Sequence, residues 1–462
     1  MNISIKLATD KYAKLDNILS YIFAVVIAYA VYYVLCPGFI SYDTLEQYKQ
    51  AAGIIPVYTA HPVIMSYFWM LLIKLTDRPE LLFLVFQLLY WGSVAMLANV
   101  LTEKISKRFL IMFFVGFWPP LFLISLNVWK DVVMMCSLSI SGISIYAYSR
   151  TLKRFWIIIC LFCLLIATAV RVNGFIPSMF ISVGLFLIYF INSKNTLVKS
   201  FFKSIICTII FLLTSLLFVS AINSSAVKTP SLGALVGWDF ACISIDENKI
   251  VIPDYMIKGK NKDTLIQEMK NANSREANFP VFSVISTHID AEDQSKLKYD
   301  WIRIIIENPE AYFKHRWHVF SVLSGKSVSG HTYYPFHPGI QSNDQGFYFK
   351  HINEDTANKL IGFFTLVADT MPFKVYIYYI ISILIMIRCV YNIVKAKGNS
   401  YINIAIFTIC ISGVMSNLSL LFLATAADFR YSIWQILSVV IATLMMLSSS
   451  VQQKKSEHQR KV

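Results

Sequence analysis

Apolar residues run through this chain in long blocks. They fall near 17–36, 80–101, 109–128, 132–149, 155–170, 175–192, 201–222, 373–393, 401–424 and 431–449. Crossing about 30 Å of hydrocarbon takes a helix of about 20 residues, and a helix satisfies its own backbone groups there. The pattern predicts an all-α polytopic membrane protein with a bundle of about ten transmembrane helices. Two shorter apolar stretches, 62–76 and 359–372, are expected to lie at the interface or to re-enter. Counting 62–76 as a span would invert every later loop.

The polar intervals set the orientation. Lys6, Lys11 and Lys14 precede the first run, which is read as a retained helix and not a cleaved signal. Lys104, Lys107 and Arg108, then Arg150, Lys153 and Arg154, then Lys194 and Lys199, then Lys395 and Lys397, fall on alternate loops. The positive-inside rule makes those loops cytoplasmic, together with both termini. The expected organisation is a membrane region 1–222 with a first outer loop 37–79, then an outer segment 223–358. A second membrane region 359–449 and a basic cytoplasmic tail 450–462 follow. In the outer segment, KLKYDWIRIIIENPEAYFKHRWHVFSVL has helical spacing and SGHTYYPFHPGIQSNDQG reads as an ordered loop.

Composition agrees with the pattern. The 462 residues are 56% hydrophobic and 15% charged, where soluble domains carry roughly 25% charged residues. The net charge of +14 sits in loops and tails, so it argues for a membrane surface and against nucleic acid as partner. Most of the eight cysteines lie within apolar runs, which gives no disulfide framework. No P-loop, Rossmann glycine pattern or HExxH motif occurs, so ATP-driven transport and zinc proteolysis lose support and no cofactor is expected.

The chemistry-bearing residues stand at the outer ends of the runs. Asp43 follows the first span in PGFISYDTLEQYKQA, with Glu46 three positions on. A carboxylate there could take a proton from a hydroxyl, and Ser41 or Asp43 could equally cap a helix. His61 opens the stretch 62–76 as a structural residue or a contact to phosphate or sugar. Lys130 in NVWKDVVMM and Arg171, with Asn173, in AVRVNGFIPS are either snorkelling interface residues or ligands of a lipid phosphate, with Asp131 orienting a substrate or a basic neighbour; Arg430 in TAADFRYSIW either binds such a phosphate or joins an anchor belt and a local salt bridge with Asp428. Asp239, between Trp238 and Phe240, could meet a sugar or serve in an aromatic anchor belt.

Together, SYDTLEQY…HP, WKD, RVNG, ENPEAYFKHRWHVF and DFRY resemble the GT-C superfamily of membrane glycosyltransferases. The likeness is to bacterial relatives of the dolichyl-phosphate-mannose protein mannosyltransferases. It extends over most of the chain in layout, through short motifs. The resemblance implies a GT-C-like bundle and a polyprenyl-phosphate sugar as donor. It also implies inverting transfer to a glycan or lipid acceptor outside the cytoplasmic membrane, with Asp43 as the base. Lys130, Arg171 and Arg430 would then meet the lipid phosphate, with Glu46, His61, Asp131, Asn173 and Asp239 completing the substrate site. Many members carry two adjacent acidic residues in the first loop. Here Asp43 stands without an acidic neighbour, and no metal is expected. A bacterial inner membrane and a cell-envelope acceptor such as lipopolysaccharide O-antigen fit this picture. An O-antigen polymerase or ligase, and a non-enzymatic transporter of lipid-linked glycans, are the competing functions.

Overall fold

The computed structural model describes residues 2–229, 232–257, 259–272, 275–278, 281, 283–286, 293–326, 353–368, 370–395 and 399–461, with side chains described between 16 and 451. The expected loop at 329–346 lies outside the described residues.

Helices carry the whole fold, and no strand occurs among the described residues. The first half comprises α1 (Asn2–Leu35), α2 (Tyr42–Ala51), α3 (Val63–Thr76), α4 (Leu81–Leu101), α5 (Ile105–Gly116), α6 (Pro119–Ser125), α7 (Lys130–Thr151), α8 (Phe155–Val170), α9 (Phe175–Asn192) and α10 (Leu197–Asn223). A polar group follows: α11 (Leu232–Glu247), α12 (Asp254–Ile257), α13 (Lys262–Ala272), α14 (Asp293–Glu307) and α15 (Pro309–Leu323). The chain ends with α16 (Glu354–Val367), α17 (Val375–Val394), α18 (Ser400–Leu423) and α19 (Ile433–Lys461).

Among the described residues, eight helical segments are long and apolar enough to cross a membrane: those on α1, α4, α7, α9, α10, α17, α18 and α19. This bears out an all-α polytopic chain and lowers the number of full-length straight spans from the expected ten. The expected run 109–128 is not one straight span, because α5 and α6 meet at a 72° bend. The cause is Pro119-Pro120. Proline lacks an N–H and drives the residue before it out of the α region, so Trp118 is extended at ψ 117°. The run 155–170 forms α8, a helix of only 16 residues.

The stretch 62–76 is α3, whose 14 residues at about 1.5 Å each fall short of the bilayer core. It buries Val63, Met65, Ser66 and Trp69 and exposes Phe68, Leu71 and Leu75. The Trp69 indole N–H donates to the Pro79 carbonyl at 2.9 Å, which fixes its end. The second short stretch is largely α16, also 14 residues, packed through Phe364 on Phe122.

Chain direction reverses at each crossing once the bent pair α5–α6 and the short α8 are counted with the eight long helices, so the bundle has two chemically distinct ends. One end, called upper below, carries Leu35, Lys130, Arg171 and Ala424. The other, lower, carries Leu101, Arg150 and Ser448. The main apolar core runs the length of the bundle around Phe83, Trp91, Tyr146 and Trp434. A second core, on α11, α13, α14 and α15 around Trp238, Phe240 and Met269, covers the upper end and includes Leu420, Ala424 and Ala427.

Candidate functional site

The site begins with the short link between α1 and α2. Gly38 takes φ +89°, and a Cβ there would stand 2.7 Å from the Phe83 ring, so only glycine lets the chain turn against α4. The turn lays Phe39 beside the α6–α7 link. Phe39 N donates to the Leu126 carbonyl at 3.0 Å, and Val128 N donates to the Phe39 carbonyl at 3.0 Å. Thr44 Oγ1 donates to the Val128 carbonyl at 2.9 Å, and the Trp129 indole N–H donates to Ser41 Oγ at 2.8 Å. Ser41 occupies the N-cap position of α2. That settles which of the two residues caps, and Asp43 points its carboxylate elsewhere.

Asp43 meets Arg430 at 3.0 Å. Arg430 also pairs with Asp428 at 2.7 Å and lies over the Trp129 ring, 4.7 Å from its centroid. Asp428 N-caps the 3-10 turn Phe429–Ser432, accepting from Arg430 N at 3.1 Å. Asp43 stays accessible, its side chain 40% exposed, whereas that of Arg430 is 13% exposed. Burial pushes the Asp43 carboxyl up, but the charges of Arg430 and Lys130 prevail and hold it well below the usual carboxylate range. Its place in the first turn of α2 adds to this, because a helix N-terminus favours an anion.

A second chain of contacts runs alongside. Lys130 Nζ lies 3.3 Å from His61 Nδ1, and His61 Nε2 lies 3.2 Å from Glu46 Oε2. An ammonium only donates, so Nδ1 accepts and Nε2–H donates to the carboxylate. That His61 hydrogen bond, opposed by burial, lowers the Glu46 pKa. A third pair is buried deeper. Arg171 Nη1 donates to Asp131, with side chains 9% and 0% exposed, and the guanidinium lies 4.7 Å from the Tyr431 ring centroid. Asp131 occupies the first turn of α7, again at a helix N-terminus. Arg171 is presented by the turn Val172–Gly174, where Gly174 is needed because a Cβ would stand 2.4 Å from the Ala167 carbonyl oxygen.

Of the residues singled out in the sequence, the structure gathers Asp43, Glu46, His61, Lys130, Asp131, Arg171, Asp428 and Arg430 at the upper end. Asn173 sits half-buried in the Arg171 turn and has no part in the ion pairs among the described residues. Asp239 departs from expectation. It is fully buried, accepts from Arg316 Nη2 at 2.6 Å and from the Trp301 indole N–H at 2.9 Å, and offers no open face to a sugar. The physical reason is Arg316, a buried cation on α15 that needs an anion beside it.

Arg316 is also a residue that sequence reasoning passed over. Its other terminal nitrogen donates to the Ala424 carbonyl at 2.7 Å. Nearby, Ala427 N donates to the Glu276 carbonyl at 2.8 Å. These bonds tie the second core to the strand of chain that presents Asp428 and Arg430. Burial pushes the Asp239 carboxyl up against the pull of Arg316, and burial also drives His315, edge-on to Trp238, well below the usual histidine range. The signal for Arg316 was readable. It lies in register with Tyr312, Val319 and Leu323 on the buried face of α15, and a cation on such a face requires a partner.

Four carboxylates thus face three basic side chains around one mouth. A ligand phosphate can join this set by exchanging with a carboxylate already paired. Among the described residues no group of His, Cys, Asp and Glu side chains is arranged to hold a metal ion. No family model, curated protein or solved structure matches the chain.

Proposed function

We propose that this protein is a membrane glycosyltransferase of the GT-C type. It would transfer a sugar from a polyprenyl-phosphate donor to a hydroxyl of a cell-envelope glycan or lipid on the extracytoplasmic side. The observation that carries the reading is the meeting of an accessible, ionised Asp43 with Arg430, and of Lys130 with His61, at the upper mouth of the bundle. The basic loops at the lower end make the upper end extracytoplasmic.

In this reading the lipid phosphate enters between Arg430 and Lys130 and competes with Asp43 for both. Arg430 is held by Asp428 and lies over the Trp129 ring, so its guanidinium stays in place when Asp43 lets go. Arginine suits two oxygens of one phosphate. Losing those positive neighbours raises the proton affinity of Asp43 as the donor binds. The acceptor hydroxyl then attacks the anomeric carbon from the face opposite the phosphate. The new C–O bond forms, the bond from the anomeric carbon to the phosphate oxygen breaks, and polyprenyl phosphate leaves with the electron pair. The acceptor proton passes to Asp43, and configuration inverts. Arg430 and Lys130 stabilise the charge that develops on the leaving phosphate.

The test is direct. Full-length protein in proteoliposomes is given synthetic polyprenyl-phosphate sugars and envelope glycans, and free polyprenyl phosphate is measured. Turnover that disappears with Asp43→Asn supports the reading. Movement of intact lipid-linked glycan across the bilayer with no release of polyprenyl phosphate would identify a transporter instead.

A further inference from the structure

A recess of about 750 Å³ opens at the lower end, away from the candidate site, between the ends of α4, α5, α7, α8 and α19. Its volume is that of a small-molecule pocket. The charged groups on its wall are Glu103, Lys104, Lys107 and Arg150, and Trp156 stands at its side.

The wall is built and not merely loop. Arg150 Nη1 donates to the Val100 carbonyl at 2.6 Å, and its guanidinium lies 5.7 Å from the Tyr146 ring centroid. Ser448 Oγ donates to the Leu101 carbonyl at 2.8 Å, which ties α19 to the same turn. Just behind, buried Arg108 donates from Nε to the Thr102 carbonyl at 2.8 Å. These bonds answer the free carbonyls that end α4. The negative charge of Glu103 acts on Arg108. Lys104 and Lys107 are exposed, and among the described residues neither has a carboxylate within ion-pair distance. The recess therefore holds positive charge in excess, fixed on a bonded frame, at the headgroup level of a membrane-spanning bundle.

We propose that this recess binds phosphate, supplied by the headgroup of an anionic phospholipid or by a soluble phosphate compound, with Lys104, Lys107 and Arg150 as its ligands. Basic pockets between spans at this level suit such headgroups. The site is independent of the chemistry assigned to Asp43.

The experiment uses full-length protein in detergent. Mixed micelles containing phosphatidylglycerol or cardiolipin are titrated against phosphatidylcholine, and bound lipid is counted by native mass spectrometry. Inorganic phosphate is the competing probe. Wild type should hold anionic lipid through washes that remove phosphatidylcholine. Lys104→Gln with Lys107→Gln should weaken binding about fivefold for each lysine, so about twenty-five-fold together. The paired arginine variant should keep it. Lys199→Gln with Lys203→Gln, on the same end but outside the recess, should change it less than twofold. Resistance to inorganic phosphate assigns the site to the lipid headgroup, and displacement by it assigns the site to soluble phosphates. Equal retention of phosphatidylcholine with no binding of inorganic phosphate, or equal losses in the two glutamine pairs, overturns the proposal.

Discussion

Asp43→Asn and Asp131→Asn make a matched pair of perturbations at one mouth. Each removes a single negative charge from a carboxylate paired with an arginine. Their settings differ. Asp43 is 40% exposed and shares Arg430 with Asp428, so its loss leaves Arg430 with a partner. Exposed pairs contribute roughly 0–1 kcal/mol, and Asp43→Asn should unfold within about 1 kcal/mol of wild type. Asp131 is fully buried and holds Arg171, itself 9% exposed. Breaking a buried pair strands a charge, at a cost of about 3–5 kcal/mol. Activity should follow the opposite order. Removing a general base lowers the rate about 10²–10⁴-fold, so Asp43→Asn should be nearly silent in stability and severe in turnover. Thermal unfolding in detergent gives the first quantity, and release of polyprenyl phosphate in proteoliposomes gives the second. An Asp43→Asn protein that transfers sugar at half the normal rate or better would falsify the role given to Asp43. One that unfolds as early as Asp131→Asn would show that Asp43 is chiefly a structural anchor.

Other outcomes follow from the same geometry. In the free protein Arg430 holds the Asp43 carboxyl below its usual range, so that carboxylate should contribute no acid limb to kcat/KM between about pH 5 and 8. Its depressed value also means that the stability it lends is present above the ordinary carboxylate pKa of about 3.9 and is lost only as pH falls below that. Arg430→Gln should raise that pKa and bring an acid limb toward the assay range; an unchanged pH profile in a variant that still turns over would sever the link. Gly38→Ala should cost about 2 kcal/mol or more, through a positive φ and a Cβ driven into Phe83, and chemical denaturation measures it. Arg316→Leu leaves Asp239 buried without its cation and frees the Ala424 carbonyl. It should cost about 3–5 kcal/mol, and faster hydrogen exchange should be centred on residues 424–430. Exchange unchanged there would mean that α15 does not brace this turn.

Much of the bundle was legible because hydrocarbon thickness fixes run length, and run length is visible in sequence. The side on which charges gather was legible for the same reason, since each reversal of the chain carries its charges to a known end. Pairing was not. Asp43 and Arg430 are far apart in sequence, and nothing in either motif names the other. Glu46 stood in the sequence three positions after Asp43 with no partner in view, and it is α3 that brings His61 against it. Asp239 looked like a sugar contact because its flanking aromatics are ambiguous; burial against Arg316 decided the matter. The bend at Trp118 was signalled by Pro119-Pro120, a cue that the apolar run obscured.

The pairing of Asp43 with Arg430 joins the first connection of the chain to its last. Synthesis proceeds from the N-terminus, so Asp43 is made long before its principal cation exists. During that interval Lys130 is a positive group within its reach. A chain ending short of Arg430 keeps seven of the eight full-length spans yet has no complete mouth. The ion pairs of the upper mouth are complete only once the helix that follows Arg430 is laid in, so their formation reports that the bundle from α1 to α19 has assembled.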